Sequence, residues 1–142
     1  MLENIRLTTN VNELDFEVIY HFISNSYWAK DIPRETMKNA MSGALCFGVL
    51  DENDKLLAFA RMITDKATFA YLADVFVLPE YQGQGISKWM MTRIMAHDDL
   101  QGLRRIMLAT HDAHNLYKQF GFNAIETPEL LMQIVSPNVY QV

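Results

Sequence analysis

Two glycines, one residue apart, sit where an apolar run gives way to a helical pattern. They carry the most specific chemistry in this chain. Val75-Phe76-Val77-Leu78 reads as a buried strand, Pro79 to Gly85 as a turn, and Ile86-Ser87 as the start of a helix. Glycine lets backbone N–H groups turn inward with no Cβ in the way. The helix adds N–H groups that have no intrahelical partner, and the positive end of its dipole. Gln82, Gly83, Gln84, Gly85, Ile86 and Ser87 therefore form a cradle suited to phosphate or pyrophosphate. A plain strand-to-helix turn would use the same glycines, so the motif alone leaves both readings open. Two familiar phosphate loops fail on residues. A P-loop needs Lys directly after its last glycine, and a dinucleotide fingerprint needs Gly or Ala where Lys88 stands.

Asp74 stands alone as a carboxylate inside the same apolar strand. A buried carboxylate there could serve as a general base. It could equally be a structural acid, hydrogen-bonded to a loop or paired with a base such as Arg61. Asp74 and Val75 point to opposite faces of a regular strand, so a bulge would decide which of them meets a ligand.

The elements that must hold these residues alternate along the chain. Ile5 to Thr8 is a short strand. Asp15 to Asn25 is a helix with Phe16, Ile19, Tyr20 and Ile23 on one stripe. A loop follows that carries two large aromatics, Tyr27 and Trp28. Pro33 opens a helix that runs to about Met41 and ends at Gly43. Leu45 to Leu50 and Leu56 to Ile63 form a hairpin around the polar turn at 51–54. Ala70 to Leu78 is a long strand apolar enough to be covered on both faces. Ile86 to Ala96 is a helix and Ile106 to Thr110 a strand. Ala113 to Phe120 is a helix with Asp112 as its cap and Gly121 at its end. Leu130 to Val135 is expected to be the last strand. The sum is a mixed α/β sheet with hairpins early and crossovers late.

A chain of 142 residues fits one domain, spanning 1–142. Its net charge of −5 and lack of a basic cluster argue against a nucleic-acid partner, and leave phosphate binding mainly to backbone amides. Cys46 is the sole cysteine, so no intrachain disulfide forms. The first residues lack a signal-peptide layout, and no apolar run approaches the ~20 residues that span a bilayer. The expectation is a soluble, cytoplasmic protein without a membrane partner. His111 and His114 have no third ligand in sight and read as a surface pair, so no metal is expected. Cys46 and the nine methionines read as core.

Gln82-x-x-Gly85-x-Ser87, after Val77-x-Pro79 and before an amphipathic helix, resembles the acetyl-CoA-binding motif Gln/Arg-x-x-Gly-x-Gly/Ala of the GNAT N-acetyltransferase superfamily. Leu116-Tyr117-Lys118-Gln119-Phe120-Gly121-Phe122 looks like its Leu-Tyr-x-x-x-Gly-Phe signature. The two stand in the family's order and at its usual separation. Ser87 departs from the pattern, as does Thr110, which stands where the family often has Asn.

The resemblance implies an α/β GNAT-like fold, with a mixed, mostly antiparallel central sheet of six to seven strands and helices on both faces. It implies direct transfer of an acetyl group from acetyl-CoA to a primary amine in a ternary complex. The loop 82–87 would hold the pyrophosphate. The backbone of Val75, Phe76 and Val77, freed where the central strand splays from its neighbour, would hold the pantetheine arm. An N–H near Phe76 or Val77 would polarise the thioester carbonyl. The leaving thiol has a pKa of about 8.5 and a phenol about 10, so Tyr117, at the family position for that acid, would protonate the thiolate. Its alternative is a half-buried aromatic role. Asp74 is the candidate base. Tyr27 and Trp28 lie where this family shapes its acceptor site, or else pack on the sheet edge. The acceptor is a small-molecule amine or a peptide: polyamines, amino acids, aminoglycosides and protein N-termini all fit. Acidic net charge leans slightly towards small or cationic acceptors. A non-catalytic acetyl-CoA sensor is the competing function. The family habit of pairing through sheet edges or late strands implies a homodimer in which Leu130–Val135 could take part.

Overall fold

The computed structural model describes residues 2–141. Among the described residues five strands form one sheet, and their order across it is their order along the chain. In chain order the elements are β1 (Arg6–Thr8), α1 (Phe16–Ser24), α2 (Arg34–Ser42), β2 (Leu45–Leu50), β3 (Leu56–Thr64), β4 (Phe69–Val77), α3 (Ile86–Met95), β5 (Arg105–Met107) and α4 (His114–Lys118). The first three pairings are antiparallel and β4–β5 is parallel.

Strand alternation divides the apolar residues between two faces. Phe47, Val49, Ala60, Met62, Ala70 and Leu72 pack with Ile86, Met90 and Ile94 of α3 and Tyr117 of α4. Cys46, Leu50, Phe59 and Phe76 pack with Ile19 and Ile23 of α1 and Met37 and Met41 of α2. Helices therefore cover both faces, as expected. Phe22 of α1 stacks on Phe76 with ring centroids 4.1 Å apart and so docks the first helix on β4.

Three expectations need correction. The sheet has five strands among the described residues, not six or seven. Leu130–Val135 forms no strand there: a 3-10 turn covers Pro128–Leu130, residues 131–136 pair with no strand, and Met132 and Ile134 are almost wholly exposed. An apolar alternating segment becomes a strand only when an edge is present to take its backbone hydrogen bonds. β5 stops at Met107 and does not reach Thr110. The cap of α4 also differs. Ala113 is the N-cap, and its N–H donates to Oγ1 of Thr110 rather than to Asp112. At the other end, Gly121 N–H donates to Lys118 O and Phe122 N–H to Tyr117 O, the paired bonds of a Schellman ending.

The β3–β4 turn is tied by Asp65. Its carboxylate accepts from the N–H groups of Ala67, Thr68 and Phe69 and from the Thr68 hydroxyl, at 2.6 to 3.2 Å. The Thr68 hydroxyl first, then the backbone amides, hold its pKa well below the usual carboxylate range. A depressed folded pKa stabilises the fold above the unfolded value, about 3.9, and that contribution fades as the carboxylate is protonated at lower pH. Asp65→Ala is therefore expected to lower Tm at pH 7, with the gap to wild type narrowing in acid. Thermal melts from pH 7 to pH 2 check this, and a gap that stays constant would contradict it.

Candidate active site

The site begins with a bulge. Phe59 pairs with Phe76 and Arg61 with Ala73, so Ala60 alone opposes both Asp74 and Val75. Asp74 adopts φ +56, a left-handed conformation that Asp tolerates better than most residues. The extra residue reverses the alternation. Ala70 and Leu72, then Val75 and Val77, contribute to the core on the α3 side, while Phe76 belongs to the other. Asp74 is thereby turned over to the face carrying the α1–α2 loop.

The second feature is a splay. β5 pairs with β4 only from Phe69 to Tyr71. Beyond that the two strands diverge and leave the outer backbone of β4 without a strand partner. Leu78 N–H donates to Leu57 O at 2.9 Å. Alternation then aims the N–H and C=O of Val77 away from β3, towards the side that β5 leaves unpaired. The Val77 carbonyl accepts from the Gln82 side chain at 2.9 Å, and its N–H stays available to a ligand. Phe76 shares the orientation of Leu78, so its backbone faces β3.

The third is the glycine turn. Gly83 and Gly85 have φ of +78° and +83°, the left-handed region where an L side chain is strained. Gly85 is the N-cap of α3 and offers no side chain to it. The first helical bond runs from Trp89 N–H to Gly85 O at 3.0 Å, so the amides of Ile86, Ser87 and Lys88 lie ahead of the ladder. A Cβ built on Gly83 would meet no atom within 4 Å, so the space before the turn is open. These features fit a pyrophosphate held by backbone amides at a helix N-terminus.

Where the strands splay, a cavity of about 610 Å³ opens, with Tyr27, Trp28, Arg61, Asp74, Val75 and Tyr117 in its walls. Five of these are the site residues expected from the sequence; Arg61, expected only as a partner for Asp74, joins them in the wall. Asp74 accepts two bonds, one on each oxygen: Oδ1 from Trp28 Nε1 at 2.8 Å and Oδ2 from Arg61 Nε at 2.5 Å. The ion pair with Arg61 is present. It is largely shielded, with side-chain exposures of 6% for Asp74 and 15% for Arg61. Tyr27 packs edge-on against Trp28 at 5.1 Å and at a tilt against His111 at 5.0 Å.

Tyr117 is buried among these residues and meets Phe122 edge-on. Burial raises its phenol pKa, with a smaller push from Tyr27. Its hydroxyl has no partner among the described residues, and no described buried side-chain oxygen or nitrogen lacks one, so the hydroxyl reaches the cavity. His111, exposed as the surface reading expects, also lines the cavity, as does Tyr140 from the terminal segment. Arg61 could have been found: it is the sole charge in the apolar segment Leu56–Ile63. No metal-binding cluster of His, Cys, Asp or Glu exists among the described residues. No described helix is long and apolar enough to cross a membrane.

The sequence model of the Acetyltransferase (GNAT) family matches residues 11–122. The chain belongs to the GNAT acetyltransferase family. That match runs from before α1 to the end of the Tyr117 signature and so covers every element of the cavity except Tyr140. A crystal structure from Xanthomonas campestris pv. campestris, of a protein classed as a GNAT-family acetyltransferase, is 47% identical, covers 97% of both chains and superposes with a TM-score of 0.93. A Gibberella zeae protein, also classed as an acetyltransferase, is 34% identical over 111 residues, 64% of this chain and 62% of its own length. The chain thus spans less than two thirds of that relative. The N-acetylglutamate synthase of Neisseria gonorrhoeae, solved with coenzyme A and L-arginine, shares the GNAT fold alone. It is 17% identical with a TM-score of 0.69, over 91% of this chain and 30% of that one.

Proposed function

We propose that this GNAT protein, acting as one domain, transfers an acetyl group from acetyl-CoA to a primary amine in a ternary complex. The observation that carries the reading is the meeting, in one cavity, of the open edge of β4 with the free Tyr117 hydroxyl. The amides of residues 83–88 would hold the pyrophosphate and the open edge of Val75–Val77 the pantetheine arm. The amine nitrogen attacks the thioester carbon, a C–N bond forms and the C–S bond breaks. Val77 N–H supports the developing oxyanion, the nitrogen loses a proton to cavity water, and Tyr117 protonates the departing thiolate. Asp74, with both oxygens engaged, positions Trp28 and Arg61 in the acceptor wall.

Direct transfer has a further support. Cys46 is buried, and burial pushes its thiol pKa up to about 11, so it stays protonated and is no acyl carrier at neutral pH. The sole cysteine in reduced form also accords with a cytosolic setting.

Acetyl-CoA-dependent release of thiol across amines, amino acids, aminoglycosides and peptides tests the activity. Tight acetyl-CoA binding with no turnover on any of them would favour the sensor instead. Gly85→Ala places a Cβ at a left-handed φ, a strain of about 1–3 kcal/mol at the cradle itself. It is expected to weaken acetyl-CoA binding roughly tenfold or more by calorimetry. Unchanged affinity would remove the turn from the site.

The exposed apolar stretch from Leu130 to Val139 supports a homodimer in which it is covered. Light scattering is expected to give a dimer for wild type and a monomer for Ile134→Asp. A monomeric wild type would refute this.

A further inference from the structure

Arg61 has more hydrogen-bonding capacity than the protein uses. Its guanidinium meets Asp74 through Nε alone, because Trp28 holds the other oxygen of that carboxylate. The two-pronged pairing usual for arginine and carboxylate is therefore absent. Nη1 and Nη2, with four N–H donors between them, have no partner among the described residues. They are not sealed off, since no described buried nitrogen is left unpaired, and Arg61 lies in the cavity wall. The side chain is nonetheless 15% exposed, fixed at one end by an ion pair and opposite Ala73 on the bulged strand. A held, mostly covered fork of unspent donors inside a substrate cavity is the arrangement that receives a planar oxyanion.

We propose that Arg61 binds a carboxylate of the acceptor, so that the acetylated molecule is an amino acid: a primary amine and a carboxylate within one small molecule. This rests on the acetyltransferase reading above and narrows it. Asp74 already balances the guanidinium charge, which suits a singly charged carboxylate better than a doubly charged phosphate. Polyamines and aminoglycosides would bring cations against Arg61 and are disfavoured. Apart from the tyrosines, the other ionisable groups in the wall are Asp112 and His111. Both are exposed residues between β5 and α4, and the Asp112 carboxylate is the group there that could accept from the ammonium end of the same acceptor. Tyr27, Trp28 and Tyr71 supply apolar faces for its side chain.

The test uses acceptors in sets that share a side chain: an amino acid, its primary amide and its decarboxylated amine. Charge-assisted hydrogen bonds of this kind predict kcat/KM about 10- to 100-fold higher for the acid. Arg61→Lys keeps a cation beside Asp74 but loses the fork. It should erase that preference through the acceptor KM while the KM for acetyl-CoA stays put. A second readout needs no turnover. In Trp89→Phe, Trp28 is the sole tryptophan and reports on the cavity by fluorescence. Free amino acids should change that signal saturably and their amides should not, and adding Arg61→Lys should abolish the response. Amides or decarboxylated amines used as well as the acids, or equal fluorescence responses, would overturn the proposal. Thermal stabilisation by acetyl-CoA is followed alongside. Its presence with no carboxylate preference sinks only the Arg61 proposal, and its absence sinks the acetyltransferase reading. The fluorescence titration still decides on Arg61 in either case.

Discussion

Tyr117→Phe is expected to lower kcat about a hundredfold at pH 7, the lower end of what a positioned general acid contributes. The modest figure follows from the leaving group. A thiol with a pKa of about 8.5 departs tolerably as thiolate, so the acid helps less than it would an alkoxide. The same fact sets a pH signature. As the pH rises past about 8.5, a thiolate needs less protonation, and the gap between mutant and wild type should narrow. Burial raises the phenol's pKa in the fold, so the neutral, donating form persists beyond its ordinary range. The wild-type rate should therefore show no falling limb from Tyr117 below about pH 10. In stability terms the raised folded pKa contributes below the unfolded value of about 10 and is lost above the folded one, so neutral-pH melts should differ little beyond the missing hydroxyl. The KM for acetyl-CoA should hold, because the ring and its contact with Phe122 remain. An unchanged kcat across pH 6–10 would remove Tyr117 from the chemistry and favour the sensor.

Local pattern carried much of this site into view. The bounds of β2, Leu45 to Leu50, follow from an apolar run closed by a polar turn. The glycines at 83 and 85 were readable because a left-handed φ is nearly their private conformation. What escaped depended on distant partners. Leu130–Val135 has the apolar pattern of a strand, but a strand is made by the edge beside it, and no described edge takes this one. β5 is short for a related reason: its parallel pairing with β4 ends at Tyr71, and no residue in β5 announces that point. Asp74 was visible as an anomaly, a carboxylate in an apolar strand. Its orientation required the register of β3 against β4, which no single strand contains. His111 and Tyr140 reach the cavity from a loop and a terminal segment, far from the motifs in sequence.

Asp74 then gives the largest expected effect on stability. Asp74→Ala would leave Arg61 Nε and Trp28 Nε1 without their acceptor. Breaking a buried ion pair from one side costs about 3–5 kcal/mol, and some water at Arg61 brings the expectation to about 2–4 kcal/mol. The backbone adds to it, since alanine is less at ease than aspartate at φ +56. Asp74→Asn suits that φ and can still accept from Trp28, but it presents either one acceptor or a clashing donor to Arg61. It should fall between, at about 1–2 kcal/mol, a typical cost for a weakened charged hydrogen bond. Urea midpoints in the order wild type, Asn, Ala, with a constant m-value, would bear this out. Kinetics separate the two roles of this carboxylate. A positioning residue that anchors Trp28 and Arg61 should raise the acceptor KM on replacement, with kcat and the acetyl-CoA KM nearly intact. A general base should instead lose kcat by 10²-fold or more in the asparagine variant, and lose a limb of the pH profile with it. The two engaged oxygens favour the first outcome. A stable Asp74→Asn protein with normal KM and a collapsed kcat would restore Asp74 to the chemistry and leave the Trp28 contact as its support.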